Sequence, residues 1–213
     1  MKRSLSYIYF QSVTPIILII LLAFIYVSEV SAKTYAYIVA DARDGKILNS
    51  HNSKQIIHPA SLTKMMTLYL AFDAIRYGRL SLDQKAIISK NATKEPPSKF
   101  WYKPGQRVSI RYLIRASAIR SANDAATALG EAISGSEKKF IKDMNMAAKK
   151  MGMKSTKFKN AHGLTEIGHY STAKDMLLLA RRLMLDYPEY FNIFSRLETT
   201  ASGRKIRNTN YKF

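Results

Sequence analysis

From Leu62 onward the apolar residues Leu62, Met65, Met66, Tyr69, Phe72 and Ile75 recur with the 3.6-residue period of a buried helix face, and Gly78 supplies its natural stop. Pro59, Ala60 and Ser61 open this stretch, so the Ser61 hydroxyl sits over the partial positive charge of a helix N-terminus. A plain N-cap would be followed by Glu or Gln three residues on, completing a capping box. This helix has Lys64 there instead, one turn along and on the same face as Ser61. A cation at the positive end of a helix is locally unfavourable and burial disfavours its charge further, so both effects lower the lysine pKa. A neutral lysine beside a serine is what nucleophilic catalysis without histidine needs.

Around that helix the text alternates in character. Thr34 to Ala40 is rich in β-branched and aromatic residues, and Asp44-Gly45 separates it from Lys46-Ile47-Leu48, which is a hairpin signal. Residues 96–105 are a turn-rich break. Helical stretches are expected at about 109–119, 122–133 and 137–151, the last capped by Ser136. Residues 152–171 read as irregular, Asp175 to Leu185 as an amphipathic helix stopped near Pro188, and Ser202-Gly203 as a hairpin turn in extended text. Strands, then many helices, then a strand beginning is an α+β order.

The first residues bear on the compartment. Lys2 and Arg3 precede twelve consecutive apolar residues, Ile16 to Val27, and Val30-Ser31-Ala32 offers small residues at a cleavage site. Twelve helical residues span roughly 18 Å against roughly 30 Å of bilayer hydrocarbon. The expectation is therefore a signal peptide over 1–32 and an exported domain over 33–213, in the periplasm or at the outer face of the cytoplasmic membrane; an uncleaved anchor is the alternative. The chain carries 34 Lys+Arg against 15 Asp+Glu, a net charge of +19. In an exported protein such a surface suits anionic polymers and lipid head groups, with membrane-surface association as one outcome and no nucleic acid as partner. Zero Cys removes disulfides, thiolate metal sites and a thiol nucleophile.

No metalloprotease, P-loop, dinucleotide or nucleophile-elbow motif occurs. His51/His58 and His162/His169 are pairs seven apart without metal-ligand spacing, and each reads as a loop or packing residue; nothing requires a metal or cofactor. Ser-x-x-Lys occurs at Ser61/Lys64, Ser136/Lys139, Ser171/Lys174 and Ser202/Lys205. Only the first opens a strongly apolar helix; capping accounts for Ser136, and the other two lie in polar loop text. Ser-x-Asn, which could pass a proton to a leaving amine, occurs at Ser50/Asn52, Ser89/Asn91 and Ser121/Asn123. The last lies between two apolar helical stretches, where a cap is the bland alternative. Ser61, Lys64, Ser121 and Asn123 are the candidate site.

With S-L-T-K at 61–64 and S-A-N at 121–123 the chain resembles the low-molecular-mass penicillin-binding proteins, and more narrowly the serine-type D-alanyl-D-alanine carboxypeptidases. Further matching text includes P-A-S-L-T-K-M-M at 59–66, S-A-N-D-A-A at 121–126, F-I-K-D-M-N at 140–145, M-G-M at 151–153, A-H-G-L at 161–164 and G-H-Y-S-T-A-K-D-M at 168–176. The resemblance implies a β-lactamase/transpeptidase-like α+β fold, an antiparallel sheet with a helical lobe. It implies hydrolysis of the terminal D-Ala-D-Ala bond of peptidoglycan stem peptides, with β-lactams as covalent inhibitors. Ser61 would be the acylated nucleophile, Lys64 its base, Ser121 the proton relay, and Asn123 the residue that binds the substrate amide and orients the lysine. The family's third motif, K-T-G, does not occur; Asn208-Thr209-Asn210 resembles text that precedes it, so the expectation is a C-terminally incomplete catalytic domain. The alternatives are a catalytically inactive fragment or envelope-binding remnant, and a β-lactamase, for which no E-x-x-L-N segment supplies the carboxylate.

Overall fold

The structure, a computed structural model, describes residues 35–209, so the expected signal segment at 1–32 lies outside the described residues. A hairpin comes first: β1 (Tyr37–Ala40) pairs antiparallel with β2 (Ile47–His51). The turn between them closes when the Gly45 N–H donates to the Asp41 carbonyl at 2.8 Å, with Gly45 at φ +80°. A 3₁₀ turn over Ala60–Thr63 then runs into α1 (Lys64–Arg76). After it come β3 (Lys85–Ile87), α2 (Lys90–Lys94), β4 (Arg107–Ser109), α3 (Ile110–Ile119), α4 (Asn123–Ser134) and α5 (Glu137–Lys150). The irregular run 152–171 follows, then α6 (Ala173–Asp186), α7 (Pro188–Phe191), a 3₁₀ turn at Asn192–Ser195, and the hairpin β5 (Glu198–Ala201) and β6 (Arg204–Arg207).

The α+β class holds, but the strands do not form one sheet. Among the described residues there are three separate two-stranded antiparallel ladders, β1-β2, β3-β4 and β5-β6. The outer two are closed by tight local turns, and the β5-β6 turn uses Ser202 at φ +48° and Gly203 at φ +75°, the left-handed pair that suits a two-residue hairpin. β3, β4 and α2 are too short to show a period and escape sequence reading. Pro188 also does more than end a helix. α6 stops at Asp186 and Pro188 is the first residue of α7, where its missing N–H has no intrahelical partner to lose. Phe72 of α1 stacks on Tyr190 of α7 at 4.6 Å, which holds that turn against the core.

The α1 helix is the centre of packing. Leu68, Ala71, Phe72 and Ala74 enter a core shared with Leu113, Ile119, Ala122, Ala125 and Leu129. Met66 faces a second core with Ala126, Phe140, Met144, Phe158 and Leu179. The expected apolar stripe is therefore only part of the buried surface. Thr67, Ala71 and Ala74, outside that stripe, are as deep as Met66 within it, Lys64 is buried too, and Leu62 precedes the helix and is exposed. Covered on two sides, α1 needs small residues where the alanine-rich α4 approaches, and its larger side chains fill the flanks.

The α4–α5 contact depends on Gly130. A Cβ there would overlap the ring of Phe140, which is fully buried. Gly130→Ala gains roughly 1 kcal/mol of helix propensity, but overpacking a fixed ring costs about 1–3 kcal/mol. We expect net destabilisation, seen as a lower urea midpoint with an unchanged slope.

Candidate active site

The chain reaches Ser61 through a strained residue, Ala60, at φ +47°. Ser61 is exposed in the first turn of the 3₁₀ segment, while Lys64, three residues on, is only 3% exposed. Its ammonium group meets three acceptors from three parts of the chain. Lys64 Nζ lies 3.2 Å from Ser61 Oγ, 2.8 Å from Asn123 Oδ1 and 2.7 Å from the His162 carbonyl. The Asn123 amide is oriented by its Nδ2, which donates to the Pro96 carbonyl at 2.8 Å; since that carbonyl only accepts, Oδ1 must face the lysine.

Two of the three acceptors cannot donate. A neutral amine has two N–H groups and one lone pair. With both hydrogens taken by Asn123 Oδ1 and the His162 carbonyl, the lone pair faces the Ser61 hydroxyl. Burial pulls the Lys64 pKa down from 10.5 to about 8, against the opposing pull of the Glu95 carboxylate. Helix position and burial were both legible in the sequence; the two carbonyl acceptors were not.

Ser121 comes from the α3–α4 junction with φ +57°, and its Oγ donates to Ser61 Oγ at 2.9 Å. It is not a cap: Ala122 holds the N-cap position of α4 and there is no side-chain cap hydrogen bond. The junction is fastened by the preceding loop, where Asn123 N–H donates to the Ser98 carbonyl at 2.7 Å. The buried Asp124 carboxylate collects the N–H groups of Phe100, Trp101 and Tyr102. The four candidate residues thus converge: Ser61, Lys64 and Ser121 lie on the wall of a cleft of about 590 Å³ that Leu62, Met65, Ser117, Phe194 and Thr209 also line, and Asn123 is buried behind Lys64.

The other pairs separate by structure. Ser136 caps α5 by accepting the Lys139 N–H, and Ser89 caps α2 by accepting the Ala92 N–H. Ser171 is fully buried against Thr156 Oγ1 at 2.8 Å, not in open loop text.

The histidine reading needs correction at 162. The run 161–169 is fastened to the first turn of α1 by Thr67 Oγ1 donating to the Ala161 carbonyl at 2.6 Å, by the Lys64 contact to His162, and by Thr63 Oγ1 lying 3.0 Å from His169 Nε2. Gly163, at φ +93°, sits so close to Ala60 that a Cβ would overlap the Ala60 carbonyl oxygen. His169 is a packing residue as expected, and burial pulls its pKa down to about 4. His162 joins the site through its backbone carbonyl, which accepts from Lys64, while its ring meets Glu95 at 2.9 Å on the far side. Ligand atoms of Glu95, Glu137 and His162 lie within 4.8 Å of one another, a proximity between distant segments that spacing does not reveal. His162 Nδ1 accepts the Leu164 N–H at 3.2 Å, which leaves the ring proton on Nε2, directed at Glu95. Asn91 occupies Glu137, and Lys138, Lys142 and Lys159 line the same cavity. The arrangement is that of a hydrogen-bonded pair, and its ring nitrogen has no free lone pair to offer a metal.

The sequence model of the peptidase S11 family, D-alanyl-D-alanine carboxypeptidase, matches residues 25–213. The chain belongs to this family. It is 37% identical over 186 residues to the D-alanyl-D-alanine carboxypeptidase DacF of Bacillus subtilis, covering 87% of this chain and 46% of that one. Among solved structures, DacD from Francisella tularensis superimposes with a TM-score of 0.77 at 35% identity, covering 87% of this chain and 45% of that one. Penicillin-binding protein D2 from Listeria monocytogenes, in an ampicillin-bound form, gives 0.74 at 33% identity, covering 86% and 75%. The fold is that of these carboxypeptidases and penicillin-binding proteins. The chain spans about half the length of the curated relatives it matches.

A depressed Lys64 pKa has a stability consequence. Between about 8 and 10.5 the unfolded chain holds a proton that the folded chain has released. Stability therefore rises with pH across that window, by roughly 3 kcal/mol for the full shift. Denaturant unfolding from pH 7.5 to 10.5 should show that rise in the native chain and its loss in Lys64→Met.

Proposed function

We propose that this chain carries the acylation machinery of a D-alanyl-D-alanine carboxypeptidase, acting on peptidoglycan stem peptides in cell-wall synthesis or remodelling. The observation that carries the reading is the Ser61–Lys64–Asn123–Ser121 network, with an exposed hydroxyl facing the lone pair of a buried amine. In the proposed reaction Ser61 Oγ attacks the carbonyl between the last two D-alanines while its proton passes to Lys64 Nζ. The tetrahedral intermediate collapses as Ser121 gives its proton to the departing D-alanine amine and recovers one from Lys64. Water, deprotonated by Lys64, then attacks the Ser61 ester, and Lys64 returns that proton to Ser61 Oγ as the shortened peptide leaves. Asn123 holds the lysine and offers its amide to the substrate. The Ser61 N–H, in a first turn without intrahelical acceptors, is suited to the developing oxyanion, a donor whose loss costs roughly 3–4 kcal/mol.

We further propose that residues 1–32 are an export signal, that 33–213 are part of the catalytic domain, and that the domain works at the outer face of the cytoplasmic membrane or in the periplasm. No helix among the described residues is long and apolar enough to cross a membrane. α5 buries Phe140, Met144 and Ala148 and exposes Lys138, Lys139, Lys142, Lys149 and Lys150, followed by exposed Lys154 and Lys157. None of the ion pairs among the described residues uses these lysines. A lysine near an anionic bilayer contributes about 1 kcal/mol, so this face supports surface association. Residues 33–213 should sediment with anionic vesicles at low salt, be released at about 0.5 M NaCl, and ignore neutral vesicles; indifference to lipid charge would end this part of the reading.

The deciding experiment is incubation with a β-lactam followed by intact and peptide mass. We expect one adduct, on Ser61, absent in Ser61→Ala and strongly slowed in Lys64→Met. The labelling rate should climb with pH and level off above about 8, the pKa of Lys64. No adduct on a folded sample would make the chain a non-acylating envelope module. An adduct on another serine would refute the assignment of Ser61.

A further inference from the structure

The acceptor that orients Lys64 from below is a backbone carbonyl, and its residue is not free to choose its position. His162 is 5% exposed, and its ring is held from both ends. Leu164 N–H donates to Nδ1 at 3.2 Å, and Nε2 lies 2.9 Å from Glu95 Oε2. Backbone N–H groups of His162 and Gly163 both donate to Asn160 Oδ1, at 3.4 and 2.7 Å. Glu95 is fixed in turn, because its Oε1 accepts the Thr127 hydroxyl of α4 at 2.9 Å. It also directly precedes Pro96, whose carbonyl orients Asn123. Glu95 therefore stands behind both of the carbonyl acceptors that hold the Lys64 amine, through its side chain on one side and its chain neighbour on the other.

We infer that Glu95 is a positioning residue for Lys64, acting through the His162 ring and carbonyl, and that it supplies the nearby negative charge against which the buried amine keeps or releases its proton. The inference rests on the reading of Lys64 as the base and gives that base its setting. Burial would raise the Glu95 pKa, but the hydrogen bonds from His162 and the Thr127 hydroxyl and the charge of Lys99 hold it below the usual carboxylate value. Glu95 is thus ionised wherever Lys64 titrates. The other charged groups around it are Glu137, whose carboxylate joins the same cluster, and Lys138, Lys142, Lys159 and Glu166 on the walls of the cavity. Facing Lys64 itself are Ser61, Asn123 and the His162 carbonyl, all uncharged, so the charge that acts on it is that of Glu95. A charge that opposes desolvation keeps the amine from losing its proton too readily, which matters for a base that must also return that proton to a leaving group.

The test is the titration of Lys64 read directly, by the ¹³Cε shift in lysine-labelled protein, with the signal assigned by its absence in Lys64→Met. Glu95→Gln keeps the shape and the acceptor for His162 Nε2–H but removes the charge. Its Lys64 midpoint should move down by about one unit relative to the native chain. Glu95→Ala, which also frees the His162 ring, should in addition slow the plateau rate of β-lactam labelling by about tenfold or more, and Glu95→Gln should restore most of that plateau without restoring the midpoint. An unmoved or raised midpoint in Glu95→Gln overturns the inference. So does a plateau loss equal in both variants with no shift, the signature of a merely structural residue. The titration needs no turnover, so a native chain that is never labelled would count against the base reading of Lys64 while leaving the Glu95 result legible.

Discussion

A buried amine must find partners for its hydrogens or give up its charge, and in this fold that requirement falls on Lys64. Its three neighbours come from the turn before α1, from the start of α4 and from the irregular run after α5. No two of these segments are adjacent in sequence, so satisfying one nitrogen forces three remote pieces of chain into register. The reverse also holds. Each piece is held independently, so the amine enters an arrangement already built, and the energy of its burial is spent on lowering its basicity instead of on moving the backbone.

The helix that carries Lys64 has to be central for this to work. α1 is packed on both sides, by α3 and α4 in one core and by Phe140, Phe158 and Leu179 in the other. A helix on the surface would leave the lysine in water with an ordinary pKa. The cost of bringing chains so close appears as strain beside the site. Ala60 and Ser121 both take positive φ, and Gly163 lies against the Ala60 carbonyl where no side chain fits. These two strained residues flank or form the pair of hydroxyls 2.9 Å apart, and relaxing either backbone would part them.

How much of this could be read in advance follows from which forces are local. Ser61 and Lys64 stand out because a lysine interrupts an apolar 3.6-residue period, and Ser121 and Asn123 because they lie between two such periods. The helices α3 to α6 are legible for the same reason. β3 and β4, with three residues each, have no period to show, and their pairing is a tertiary fact. The depth of Thr67 and Ala71 is equally tertiary, since it depends on a second core behind α1 that no single-helix pattern reports. Glu95 and His162 fail for a different reason: they meet across the fold, and one of them acts through a backbone carbonyl that any residue type would supply. The A-H-G-L run carries a signal as text shared with the family, but not the physical cause, which is Gly163 allowing the run to approach Ala60.

One residue past the S-A-N triplet, Asp124 shows how far the orientation of the base is delegated. Fully buried, it draws in three successive backbone N–H groups from Phe100 to Tyr102, and so pins the loop that begins at Glu95. Ser98 in that loop accepts from Asn123 N–H and donates its hydroxyl to the Arg120 carbonyl, spanning the strained Ser121 from both sides. Pro96, in the same loop, turns the Asn123 amide so that its oxygen faces Lys64. The order of causes therefore runs from a carboxylate that satisfies backbone, to a loop, to an amide, to the lysine lone pair. Each step uses an acceptor that cannot donate or a donor that has no other partner, and that removes the ambiguity of rotamer and amide flip that a surface site would keep. The sequence motif names the last two members of this series; the polarity of a buried carboxylate and the fixed direction of a proline carbonyl determine what they do.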